Sequence, residues 1–122
     1  MNFVDCDKVR VDYGKYGFGV FARQNFKEGD IIETGIMMRL TNVDGNINSH
    51  LFTWSDDRKV FAAGSGCLPF YNHSYTPNVA KVGDLANDRM KIVALRDITM
   101  GEELFNRYMS ALWRTCFSEF DN

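Results

Sequence analysis

Cysteine, histidine, proline and long apolar runs are all scarce in this 122-residue chain. The three cysteines, Cys6, Cys67 and Cys116, are odd in number and far apart, and none forms a CxxC or CxC pair. That spacing argues against structural zinc and leaves small buried hydrophobes or incidental thiols as the plain reading. The two histidines, His50 and His73, are too few for a metal centre, so none is expected. No stretch approaches the roughly 18 apolar residues of a membrane span. The first residues, MNFVDCDKVR, carry acids too early for a signal peptide. The expectation is an intracellular protein without a membrane partner, nucleus and cytoplasm being indistinguishable. Basic runs are missing too. With a formal net charge of −2, nothing advertises direct nucleic-acid binding, while a mildly acidic surface suits a basic peptide.

What is present is enough apolar material for one core. Hydrophobic residues make up 45% and aromatics 14%, so residues 1–122 read as a single domain that needs no staples. The dominant period is two. Lys8–Val11 alternates, and so does Val20–Arg23 after a glycine cluster. Lys27–Asp30 is a turn leading into a strand over Ile31–Thr34. Arg89–Leu95 is another strand, Met100–Glu102 another turn, and Glu103–Arg107 a short last strand. Helical signal is sparse: one short helix within Asn46–Ser55, and a second over Ser110–Phe117. The sum is a mostly β single domain of short strands and small sheets with one or two short helices.

Three segments concentrate the chemistry. Tyr13-Gly14-Lys15-Tyr16-Gly17-Phe18-Gly19 has glycines spaced G-x-x-G-x-G, the reverse of a dinucleotide fingerprint, and an alternating strand follows it. Such a hairpin offers close backbone approach and carbonyl oxygens, which suit a positive ligand, or it holds no ligand at all. FYNHSYTPN, Phe70 to Asn78, sets Asn72 and His73 behind an apolar run. Neighbours on a strand face opposite ways, so a Ser74–His73 nucleophile pair fails, while a Cys67–His73 pair is conceivable but has no support in the sequence. Alone, His73 reads as a structural histidine. GEELFNRY, Gly101 to Tyr108, is a turn into a strand, and Tyr108 alone reads as a half-buried aromatic.

Taken together and in order, the three segments resemble SET-domain protein lysine methyltransferases. YGKYGFGVFARQNFKEGDII looks like the opening motif of that family, FYNHSYTPN is similar to its N-H-S-x-x-P-N, and GEELFNRY to its G-E-E-L-x-x-x-Y. In size and layout the chain is most similar to the minimal single-domain SET proteins of large DNA viruses, which also carry a tryptophan five residues after the motif tyrosine, as Trp113 follows Tyr108. The resemblance implies a β-clip-like fold in which the second and third segments pass through one another in a knot-like threading. It implies S-adenosyl-L-methionine (SAM) as methyl donor. Asn72 and the backbone around His73 would contact it, as would Tyr16, Gly17 and Phe18 through backbone groups. Trp113, with Phe117 as the second choice, would pack on the adenine. The implied activity is methyl transfer to a lysine of a histone or non-histone protein. The alternative is a weak or inactive module that binds SAM or a lysine peptide; a Cys67 hydrolase is a third reading.

The residue types fit that chemistry. Carbonyl oxygens and aromatic faces suit a sulfonium through C–H···O and cation–π contacts. The acceptor lysine must attack as a neutral amine, and neutralising it at pH 7 costs roughly 4–5 kcal/mol. A dry channel and the nearby sulfonium lower that cost. Tyr108 would orient the amine, with Phe18, His50, Tyr71 and Leu112 as substrate-side residues. The chain departs from the family at several points. Asn106-Arg107 replaces an acidic residue before the tyrosine, Pro69 a frequent arginine, and no C-terminal cysteine cluster follows. Leu112 and His50 stand where viral members place channel tyrosines, which bears on methylation state, rate and substrate. Like those members, the chain is expected to act as a homodimer.

Overall fold

A computed structural model describes residues 4–45 and 51–108. Ten strands occur there: β1 (Val4–Asp5), β2 (Val9–Gly14), β3 (Gly17–Ala22), β4 (Ile31–Leu40), β5 (Phe52–Thr53), β6 (Phe61–Gly64), β7 (Asn72–His73), β8 (Val79–Asp84), β9 (Arg89–Ala94) and β10 (Glu103–Asn106). A 3-10 turn, Leu68–Phe70, leads into β7, and there is no α-helix among the described residues. The mostly β architecture is the one the period-two pattern predicts. In β2, Val9 and Val11 are buried while Arg10 and Asp12 reach toward solvent; in β9, Met90, Ile92 and Ala94 are buried while Arg89 and Lys91 are exposed.

The strands form two five-stranded sheets, in the orders β1-β2-β3-β10-β7 and β5-β6-β4-β9-β8. Buried side chains from both, including Val11 and Val20 of the first and Met37, Ala62 and Ile92 of the second, join Leu68 and Tyr71 in one core. β4 runs well beyond the expected Thr34. It is a central strand that pairs with β9 along its first part and with β6 from Met37 to Leu40, and this two-sided pairing carries it past Gly35. The helix expected within Asn46–Ser55 is corrected at its C-terminal end: Phe52–Thr53 is a strand, held by pairing with Ala62 and Phe61. Residues 46–50 and the expected helix over Ser110–Phe117 lie outside the described residues.

Among the described residues Glu33, Asn78 and Asn106 are the buried polar side chains, and Glu33 is the acid among them. Glu33 accepts the Tyr71 hydroxyl at 2.7 Å, the Cys67 backbone N–H at 2.8 Å and the Cys6 thiol at 3.7 Å. Burial pushes its carboxyl up from the ordinary range, against the pull of those hydrogen bonds. The sulfurs of Cys6 and Cys67 lie 3.2 Å apart. Two thiols and a carboxylate thus sit within 4.8 Å of one another. Both carboxylate oxygens already accept hydrogen bonds, so the group is a satisfied core network. The sequence conceals it because the two cysteines are far apart in the chain.

Candidate active site

The site begins at a tight turn. Gly14 pairs with Gly17 across the β2–β3 hairpin, leaving Lys15 and Tyr16 at its tip. Gly17 has φ +86°, a left-handed conformation that a side chain would strain. The turn pushes Tyr16 outward, 61% exposed, with its ring edge-on to Phe105 at 5.9 Å. Phe18 is half exposed and meets Tyr13 edge-on at 5.2 Å.

β3 then pairs with β10 in antiparallel fashion, and β10 pairs with β7 in parallel, matching Phe105 with Asn72 and Asn106 with His73. A parallel pair needs a long connection. Here β8, β9 and the turns around them supply it. This pairing sets the three motif segments side by side. Passage of the chain beyond residue 108, where the knot-like threading would be completed, lies outside the described residues.

Asn72 sits at the junction. Its Nδ2 donates to the Phe18 carbonyl at 3.0 Å and to Glu103 Oε2 at 2.9 Å, so one amide ties the first motif to the third. Gly19 makes room for this. A Cβ there would lie 2.4 Å from Glu103 Oε2 and 3.0 Å from Asn72 Nδ2. Gly19→Ala is therefore expected to separate the carboxylate from the amide and to cost about 1–3 kcal/mol, the range for overpacking. Urea unfolding measures this, and an unchanged midpoint would show that the junction absorbs a methyl group freely.

His73 accepts the Tyr108 backbone N–H on Nδ1 at 2.9 Å, which places its own proton on Nε2 when neutral. Burial first, and the Arg107 charge second, hold its pKa below the usual value of 6.5. The sign follows from linkage. The folded state takes up the proton less readily than the unfolded chain, so this contribution is whole above pH 6.5. It is lost as pH falls from there through the folded pKa. Denaturation of wild type and His73→Gln between pH 5 and 7.5 is expected to show the wild-type advantage shrinking on acidification; a pH-independent difference would refute the assignment.

Tyr108 completes the cluster. Its hydroxyl donates to the Tyr71 carbonyl, and its ring lies 5.1 Å from that of His73. Burial, helped by the charge of Glu103, raises its pKa to about 12. At pH 7 only about one molecule in 10⁵ would carry the phenolate. The group is thus a neutral phenol and no general base; its proton goes to the Tyr71 carbonyl, which leaves its oxygen to accept an N–H.

The structure brings together Tyr16, Gly17, Phe18, Asn72, His73 and Tyr108. Tyr71 is fully buried and gives its hydroxyl to Glu33, while its carbonyl accepts the Tyr108 hydroxyl. The apolar neighbourhood of the 3-10 turn draws the ring inward. His50, Leu112, Trp113 and Phe117 lie outside the described residues. Residue-by-residue reading missed Glu103 and Asn78. Asn78 is buried, donates to the Glu103 carbonyl at 2.9 Å and accepts the Phe105 N–H at 2.7 Å, so its amide acts as an extra strand beside β10. The signal was available, since both residues are fixed members of the motifs quoted above.

Comparison with known proteins agrees with this geometry. The SET domain family matches residues 17–109, and the chain belongs to that family. Its enzyme class is protein-lysine N-methyltransferase. A curated relative, "Histone-lysine N-methyltransferase, H3 lysine-37 specific" of Schizosaccharomyces pombe, is 28% identical over 109 residues, covering 84% of this chain and 73% of its own. Among solved structures, a candidate histone methyltransferase of Plasmodium falciparum superposes with a TM-score of 0.72 at 22% identity, covering 89% of this chain and 99% of that one. The polycomb repressive complex 2 of Chaetomium thermophilum gives 0.68 at 22%, covering 85% of this chain and 15% of that one. A ctPRC2 structure bound to S-adenosylmethionine gives 0.67 at 21%, covering 87% and 16%. At these identities the structural matches establish the fold alone.

Proposed function

We propose that the chain transfers a methyl group from SAM to the side-chain amine of a lysine in a protein substrate. The observation that carries this is the junction at Asn72, where three separated segments meet beside a half-buried, neutral phenol. Two local features suit a cationic donor. The hairpin tip presents exposed aromatic faces at Tyr16 and Phe18 beside Gly17, where a Cβ would meet nothing within 4 Å. Asn106 Oδ1 is buried next to His73 with no hydrogen-bond partner among the described residues, an acceptor available to a positive or N–H-bearing ligand.

Tyr16, Gly17, Phe18, Asn72 and His73 would hold the cofactor, with Trp113 and Phe117 joining from beyond the described residues. When bound, SAM supplies an electrophilic methyl group on a positively charged sulfur. Tyr108 keeps its proton throughout and orients the incoming amine, while the buried wall behind it excludes water and favours the neutral form. No side-chain base is needed. Alignment of amine and methyl within about 3–3.5 Å carries much of the rate.

The net charge of −2 favours a basic substrate, and the H3 specificity of the Schizosaccharomyces pombe relative makes histone H3 the first candidate, with non-histone proteins open. The finer proposals are a minimal SET protein of viral type, acting as a homodimer in the nucleus or cytoplasm. Incubation with labelled SAM and recombinant histone H3, or whole-cell protein, tests the reaction. Label on lysine supports it; tight SAM binding without any transfer replaces it with a binding module. Sedimentation showing only monomer at micromolar concentration removes the dimer.

A further inference from the structure

Lys81 faces the wrong way for a surface lysine. It lies on β8 two residues from Val79, which is fully buried. Alternation along a strand puts Lys81 on the same face as Val79, so a charged side chain stands where an apolar one is expected. Its neighbour Val82, on the outer face, is exposed.

The ammonium ends among aromatic rings. Nζ lies 4.2 Å from the ring centre of Phe52, 5.6 Å from that of Tyr108 and 5.8 Å from that of Tyr71. One ring within about 6 Å of a cation is an ordinary contact. Three rings from three separate segments make a cage, and cages of this kind are how proteins hold alkylated ammonium groups. One of the rings is Tyr108, the phenol assigned above to the acceptor amine.

We propose that Lys81 is an internal occupant of the acceptor-lysine cleft, holding with its own ammonium the aromatic pocket that a substrate lysine must enter. This rests on the methyltransferase reading. Lys81 is only half-buried, and its four-carbon stem can rotate out, so the pocket opens by side-chain movement without moving the strand. Until it does, a substrate lysine meets both an occupied volume and a like charge. Lys81 thereby sets the affinity for substrate rather than the chemistry of transfer.

The test uses n-butylammonium, the side chain of lysine without its backbone. Titration at constant ionic strength is followed through the ring proton resonances of Phe52, Tyr71 and Tyr108. Lys81→Ala is expected to bind n-butylammonium at least tenfold more tightly than wild type, with the shifts confined to those rings. Lys81→Val, which suits an inward strand position, serves if the alanine variant does not fold. Equal binding by wild type and a folded variant overturns the proposal, and so does no binding by either. Transfer to histone H3 is then compared: the variant is expected to show a lower KM with kcat within about twofold. If n-butylammonium behaves as expected but no form methylates any protein, Lys81 stands as the occupant of an aromatic cleft and the methyltransferase reading falls.

Discussion

Tyr108→Phe is expected to lower methyl transfer on the order of a hundredfold while leaving SAM affinity within about twofold of wild type. The change removes one oxygen. Removing a single aligned hydrogen-bonding group from an active site costs about 10²–10³ in turnover. Here the group is a phenol whose pKa, at about 12, keeps it protonated, so the loss is one of orientation and not of a base. A base would leave a titration near its pKa in the rate profile. A positioning phenol leaves none, and the wild-type rate is expected to show no step attributable to Tyr108 below pH 9. The fold tolerates the change, because the lost bond to the Tyr71 carbonyl is worth about 1 kcal/mol. Single-turnover rates with SAM saturating, together with calorimetric SAM binding, measure both halves. Wild-type turnover in the variant removes Tyr108 from the catalytic role.

Asn72→Ala is expected to fail differently. It removes a neutral hydrogen bond to Phe18 and a charged one to Glu103, together about 3 kcal/mol of stability. It also frees the β3 end of the hairpin from β7. SAM affinity is expected to fall at least tenfold, on the order of 1.4 kcal/mol or more. Asn72→Asp is a useful companion. It preserves shape but replaces the donor with a carboxylate facing Glu103, so it should rescue neither stability nor affinity. Calorimetry and urea unfolding report the two effects separately. Unchanged SAM affinity in a folded Asn72→Ala protein would show that the amide serves the junction alone.

Much of the fold was legible because the sheets have one wet face. Where apolar and polar residues alternate, as in β2 and β9, strand and inward face follow from the residues themselves. Short strands were harder. Phe52–Thr53 carries no period of its own and is a strand only because Ala62 and Phe61 pair with it. The far half of β4 is explained the same way, by its pairing with β6 from Met37 to Leu40.

At the site, residue identity and residue placement came from different sources. The motifs named Asn72, His73 and Tyr108, whose side chains can do little else but bind, bridge or donate at those positions. They did not reveal that Asn72 spends its amide on Phe18 and Glu103, or that the Tyr71 hydroxyl turns away to Glu33. Nor could they place Lys81 among three rings, or two thiols side by side in the core.

The linear order of residues settled the alternating strands, the turns and the kinds of group available for chemistry, since these depend on neighbours only a few positions away. Which groups touch was decided by the parallel register of β7 with β10 and by the packing of one sheet against the other. Those are contacts between segments tens of residues apart, and a short-range pattern carries no record of them.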